Sequence, residues 1–344
     1  MAKQQRIDPR LIERNRAKAD AARRNQQSKN RGKSGRPGGR PVQEARPATL
    51  GTWIAGARPQ TLLLAIAPVA LGTGTASLLT EHWWDHWVRA LLALAVAVGL
   101  QIAVNYANDY SDGVRGVDKN RIGPARLVGS GRAKPRHVLI VSLVFFVLAA
   151  AAGATLIILS QQWWLFAAGV LMLAAAWFYT GGPKPYGYRA FGEVAVMLFF
   201  GVVPVAGTMF TQVGTVNVEA WIGGAALGAI AAAVLVVNNA RDRERDAAVG
   251  KRTLAVLLGN LGTRVLYIVL MVLPFGALAF FVIFYDYTLF VFFIALAALP
   301  AMLIVATARH PREYLVAMRL TLLTAFGFGV GMAAVLALGG VLFF

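Results

Sequence analysis

From residue 48 onward the chain is a series of long apolar runs separated by short polar breaks. A helix needs about 20 consecutive apolar residues to cross the hydrocarbon of a bilayer. Nine runs meet that length or approach it: about 52–79, 88–108, 137–159, 163–180, 190–211, 220–240, 264–285, 287–307 and 318–343. They predict an all-α, polytopic membrane protein, a bundle of nine transmembrane helices. The breaks test the scheme. Alternate connections near 109–136, 181–189, 241–264 and 308–319 hold 7, 2, 6 and 3 Lys and Arg residues. With Arg58 and the 14 cations before residue 48, 33 of the 34 cations fall on one side, and Arg89 alone falls on the other. Cytoplasmic connections carry the excess of Lys and Arg. The expectation is therefore a multi-pass protein of the cell (plasma) membrane, with a cytoplasmic N-terminus and the C-terminus outside.

Residues 1–47 break the pattern: 14 cations, 4 acids, many Gly, Pro, Asn and Gln, and few large apolar side chains. So little apolar area cannot offset the entropy of ordering, and the segment reads as a basic, disordered cytoplasmic tail ahead of a membrane domain over 48–344. No short apolar core follows its basic start, as a cleaved signal would require. The net charge of +18 is concentrated here and on one face, which suits anionic lipid and not nucleic acid. The chain has no cysteine, so disulfides, thiolate metal sites and cysteine nucleophiles are excluded.

Against this background the acids are unevenly placed. Seven aspartates lie beyond the tail, and five of them form two clusters. Asn105, Asn108, Asp109, Asp112 and Asp118 follow the second run; Asn238, Asp242 and Asp246 follow the sixth. A charged side chain at the bilayer centre costs roughly 2.5–3.5 kcal/mol on insertion scales, so such groups mark function. Spacings of three and four put Asn105, Asp109 and Asp112 on one helix face, and Asn238, Asp242 and Asp246 on another. Stacked like charges call for a cation between them. Oxygen donors without His or Cys suit Mg²⁺, which shares its shell with substrate phosphates. Nearby Arg126, Lys251 and Arg252 suit a diphosphate. No Gly-x4-Gly-Lys-Ser/Thr loop is present, which argues against a nucleotide-hydrolysing pump. His82 and His86 have chelating spacing, but Trp83, Trp84 and Trp87 around them read as an interfacial belt.

At these residues the sequence resembles the UbiA-type intramembrane aromatic prenyltransferases. The first family motif matches Asn108, Asp109, Asp112 and Asp118, and the second matches Asp242 and Asp246. The longer gap from Asp112 to Asp118, with the stretches at 57–62, 123–131, 179–193 and 250–255, resembles the naphthoate branch that serves menaquinone synthesis. The resemblance covers roughly 50–343.

What it implies is a central cavity binding a polyprenyl diphosphate and 1,4-dihydroxy-2-naphthoate. Asp109, Asp112, Asp242 and Asp246 would hold two or more Mg²⁺ ions, and Asn105, Asn108, Asn238, Arg126, Lys251 and Arg252 would bind the diphosphate. Asp118 would be a ligand or a base. Tyr179 and Tyr188 would shield the allylic cation, and Lys184 or Arg189 would hold the aromatic carboxylate. The alternatives are the same architecture with another partner (4-hydroxybenzoate, a chlorophyll precursor, haem, a phosphoribosyl donor) or an ion-coupled secondary transporter.

Overall fold

A computed structural model describes residues 47–82, 84–116, 126–182 and 185–338. Among them every regular element is helical. In chain order they are α1 (Leu50–Ser77), α2 (Trp87–Val114), α3 (Pro135–Ser160), α4 (Leu165–Thr180), α5 (Gly192–Val213), α6 (Val218–Ala248), α7 (Leu254–Val282), α8 (Thr288–Thr307) and α9 (Glu313–Leu338). Eight of these are long and apolar enough to span a membrane, and α4 is a shorter apolar helix. The nine expected runs thus correspond to nine helical segments, but their ends differ. α2 and α6 continue to Val114 and Ala248, past the predicted ends near 108 and 240, and α7 begins at Leu254 rather than near 264. Hydropathy falls where carboxylates begin, whereas helical hydrogen bonding continues through them. Of the expected tail over 1–47, residues 1–46 lie outside the described residues.

α6 is the most deeply buried span and is sheathed by α1, α5, α7 and α9. Lipid is as apolar as leucine, so helices associate in it through close packing, which small residues permit. α6 supplies Gly223, Gly224, Ala226, Gly228, Ala229 and Ala231–Ala233, all buried. At Gly228 it meets Gly201, within the π-helical turn Leu198–Val202 of α5. A Cβ on Gly201 would come within 2.5 Å of the Gly224 carbonyl, and closer still to the Gly228 backbone. The outer helices turn Leu143, Val147, Leu171, Leu261, Leu296 and Leu303 outward, as a lipid-facing wall requires.

Arg89, the lone cation of its side, has a local explanation. Its guanidinium donates to Gln212 O and Leu159 O, both at 2.8 Å. These are carbonyls in the last turns of α5 and α3, where orphan acceptors and the helix dipole both favour a cation.

Candidate active site

The last turns of α2 and α6 face one another across a cavity of about 1420 Å³. α2 contributes Asn105, Asn108, Asp109 and Asp112, and α6 contributes Leu235, Asn238, Asn239, Asp242 and Asp246. These are residues three and four apart, one face on each helix. The polar end also holds Arg58, Arg126, Arg241, Arg245 and Lys251, so five cations stand with four carboxylates. Away from that end the walls are apolar, lined by Leu64, Val69, Leu100, Ile157, Phe200 and Phe210 among others.

The carboxylates are buried and differently engaged. Asp109 accepts from the backbone N–H groups of Leu127 (2.8 Å) and Val128 (3.1 Å), so it anchors the turn that carries Arg126. Asp112 accepts from the Tyr188 hydroxyl at 2.6 Å and lies 3.9 Å from Arg126. Asp242 takes a two-point contact from Arg241, at 3.0 and 2.6 Å, with Arg245 at 3.3 Å. Asp246 lies 3.7 Å from Lys251 and 3.8 Å from Arg245, and its buried Oδ1 accepts no hydrogen bond. It also feels the negative charges of Asp242 and of Asp112 across the cavity.

Several expected residues have first tasks other than those expected. The Asn105 amide nitrogen donates to Ala57 O (2.8 Å) and to the Thr61 hydroxyl (3.0 Å), and Gln101 donates to the same hydroxyl at 3.0 Å. This latch closes a break in α1 where Arg58 adopts the left-handed conformation, φ 54°. Strain of that kind persists only where neighbours hold it, and here it sets Arg58 on the cavity wall. Asn238 accepts from Arg241 at 2.7 Å. Asn108 and Tyr179 line the cavity, the Tyr179 ring meeting Tyr186 edge-on with centroids 5.4 Å apart.

Tyr188 was expected to shield a cation with its ring. One face already lies against Lys251 Nζ, 4.2 Å from the ring centroid, with Arg115 5.5 Å away. Burial, and then the charge and hydrogen bond of Asp112, hold its phenol proton well above the usual tyrosine range. Tyr188 is therefore a persistent donor to Asp112.

Two assignments are corrected. Arg189 and Arg252 are exposed and do not line the cavity. Arg252 meets the site only through its backbone N–H, which donates to Tyr188 O at 3.0 Å. Adjacency to a motif in sequence did not carry these side chains inward. Asp118 and Lys184 lie outside the described residues. Conversely, Arg241, Arg245, Asn239 and Glu193 belong to the site or its support and were not singled out. Asn239 and Asp242 are three residues apart, so helical spacing already placed them together.

A membrane bundle in which a polar pocket opens onto a long apolar cavity, with facing carboxylates and surplus cations, has the chemistry of an enzyme for lipid diphosphates. The chain belongs to the UbiA prenyltransferase family, whose model matches residues 65–314. It is 49% identical over 224 residues to 1,4-dihydroxy-2-naphthoate octaprenyltransferase of Mycobacterium tuberculosis, covering 64% of this chain and 74% of that one. It is 36% identical over 255 residues to the Escherichia coli protein of the same name, covering 72% and 81%. In fold it matches a UbiA homologue from Archaeoglobus fulgidus bound to DMAPP and Mg²⁺, with a TM-score of 0.59 and 16% identity, over 83% of this chain and 99% of that one. A UbiA homologue from Aeropyrum pernix gives a TM-score of 0.60 at 18% identity, over 78% and 96%.

Proposed function

We propose that this multi-pass membrane protein transfers a polyprenyl group from a polyprenyl diphosphate to 1,4-dihydroxy-2-naphthoate. Diphosphate and CO₂ are released, and the product is the prenylated 1,4-dihydroxynaphthalene, demethylmenaquinol, the reduced form of demethylmenaquinone. The observation that carries the reading is the cavity itself: buried carboxylates and cations at one end, and an apolar channel for an isoprenoid beyond them. The relatives named for this reaction supply the aromatic partner.

The residues fit Mg²⁺. Their donors are all oxygen, and Asp246 Oδ1 is a buried acceptor without a hydrogen bond. Among the described residues no three His, Cys, Asp or Glu side chains cluster as a cage. That suits an ion that takes one or two carboxylates and completes its shell with substrate phosphate and water. Asp112 on α2 would hold one such ion and Asp242 with Asp246 on α6 another, with Asp109 behind them at the turn. Bound there, Mg²⁺ would neutralise charge on the departing diphosphate and ease heterolysis of the allylic C–O bond.

The chain's own residues do the rest. Arg126, Arg245 and Lys251 stabilise the diphosphate as its charge grows. The apolar walls exclude the water that would convert the allylic cation to an alcohol. The naphthoate ring then attacks that carbon, and loss of its carboxyl group as CO₂ restores aromaticity. We further infer that the basic end faces the cytoplasm, following the distribution of Lys and Arg.

An ion-coupled transporter would set its acids near the midplane of broken helices, whereas these lie in the last turns of α2 and α6 beside five cations. The deciding experiment incubates purified protein with Mg²⁺, labelled polyprenyl diphosphate and a panel of aromatic acceptors. Lipid-soluble product with the naphthoate is expected, and activity should be lost in Asp112→Asn and Asp246→Asn. Near-normal turnover by either variant in saturating Mg²⁺ would remove the carboxylates from this role, and no product with any acceptor would overturn the reaction.

A further inference from the structure

We propose that Asn239, held in one orientation by the buried Glu193, accepts a hydrogen bond from a ring hydroxyl of the aromatic substrate. The proposal rests on the reaction proposed above and names the contact that selects its acceptor. Glu193 opens α5 and is 5% exposed. Its Oε1 accepts from Asn239 Nδ2 at 3.0 Å, and its Oε2 is buried without a hydrogen bond. An oxygen that accepts must face the amide NH₂ and not the amide carbonyl. The carbonyl Oδ1 of Asn239 is thereby turned away from Glu193. Asn239 lines the cavity, and among the described residues nothing donates to that oxygen. It is a fixed acceptor awaiting a donor.

Its depth decides which donor. Asn239 precedes Asp242 by three residues, about 4.5 Å along the helix axis at 1.5 Å per residue. Beyond it α6 lines the cavity with Asn238, whose carbonyl oxygen accepts from Arg241, and then with Leu235 and Val234, both apolar. The two amides are thus the last polar groups of α6 before the isoprenoid channel, and the Asn239 carbonyl is the one not engaged by Arg241. An aromatic nucleophile must reach the allylic carbon at that level, just below the diphosphate. The substrate carboxylate would be repelled by Oδ1 and by the carboxyl of Glu193, so it turns toward the cationic end. A hydroxyl, a donor, turns toward Asn239. Tyr179, on the same wall, lies within the field of Glu193 and completes a polar step in an apolar surface. An arene lacking the hydroxyl would leave a desolvated carbonyl without a partner, which is how such sites reject analogues.

The test is steady-state kinetics on the full chain with Mg²⁺, varying each substrate separately. Asn239→Ala is expected to raise KM for 1,4-dihydroxy-2-naphthoate about five- to ten-fold, the loss of one hydrogen bond, and KM for polyprenyl diphosphate less than about two-fold. Glu193→Ala should follow it. Glu193→Gln keeps an acceptor oxygen for the Asn239 amide and should stay near wild type. The two monohydroxy analogues, 1-hydroxy- and 4-hydroxy-2-naphthoate, serve as competitive inhibitors. Wild type should bind one of them more weakly than the other, and Asn239→Ala should erase that difference. Should Asn239→Ala fail to accumulate, the two Glu193 variants carry the same comparison. Equal rises in both KM values, or an analogue difference that survives in the variants, would overturn the proposal and leave the pair as packing between α5 and α6. Wild-type protein that does not turn over the naphthoate at all would instead overturn the proposed reaction, and this contact with it.

Discussion

Replacing Arg241 with leucine should weaken the protein in the absence of Mg²⁺ and spare it in its presence. Arg241 is 7% exposed and makes three hydrogen bonds: 3.0 and 2.6 Å to the two oxygens of Asp242, and 2.7 Å to Asn238. Removing one partner of a buried ion pair costs about 3–5 kcal/mol because the other charge is left uncompensated. Arg245 remains 3.3 Å from Asp242, so the lower end applies, about 3 kcal/mol. The same contact bears on the metal. Arg241 occupies the Asp242 carboxylate that a divalent cation would have to share. A variant without it should bind Mg²⁺ more tightly, by as much as a hundred-fold if all of the roughly 3 kcal/mol is transferred. Linkage then restores stability as the ion is added. The assay is thermal unfolding in detergent, followed by tryptophan fluorescence across a Mg²⁺ series from chelator to millimolar. The expected result is a Tm several degrees below wild type in chelator, closing as Mg²⁺ rises, with its midpoint at lower concentration. A deficit of equal size at every Mg²⁺ concentration would refute the reasoning, because Asp242 would then have no share in the metal.

Three further outcomes are expected. Tyr188→Phe keeps the ring under Lys251 but loses the 2.6 Å hydrogen bond to Asp112. The kcat should fall about ten-fold, a hydrogen bond to a charged group being worth roughly 1.5–3 kcal/mol. In wild type the raised phenol means that kcat against pH should show no inflection at the ordinary tyrosine value of about 10. Gly201→Ala drives a Cβ into the Gly224 and Gly228 backbone, which no side-chain rotation relieves; a loss of about 1–3 kcal/mol or more is expected in Tm or detergent resistance. Arg89→Leu frees the carbonyls of Gln212 and Leu159 and should cost about 1–2 kcal/mol in the same assay. KM for both substrates should be unchanged, since the residue is absent from the cavity wall.

Among the described residues, eight of the nine helices were legible because the bilayer fixes how long an apolar run must be, and α4 was legible as a shorter apolar run. Their ends were not. Asp109, Asp112, Asp242 and Asp246 lower hydropathy without stopping the helix, since their charges are met by side chains and backbone that hydropathy does not see. The helical period likewise gave the correct faces, but it could not give the partners. Asn105 and Asp109 read as equivalent polar groups, yet one latches α1 and the other fastens the turn at 127–128. Those partners are 48 and 18 residues distant. Arg189 and Arg252 were chosen for nearness along the chain, and the backbone turns both outward.

The choice between a site for cations alone and one for an anion with cations also depended on what folding brought together. Sequence showed acids in clusters and bases spread through the polar connections, which the positive-inside rule explains without invoking a site. Folding seats Arg58, from the break in α1, and Arg126, from the turn that Asp109 holds, on the same wall as Arg241, Arg245 and Lys251. A carboxylate site meant to bind only metal gains nothing from cations this close, because each competes for the same oxygens. Held beside the acids, they make sense if the ligand brings its own negative charge. A diphosphate does so: it adds acceptors for the guanidinium and ammonium groups at the moment the metal takes the carboxylates. The ion pairs of this structure are then arranged to exchange partners, and the Arg241 experiment measures that exchange directly.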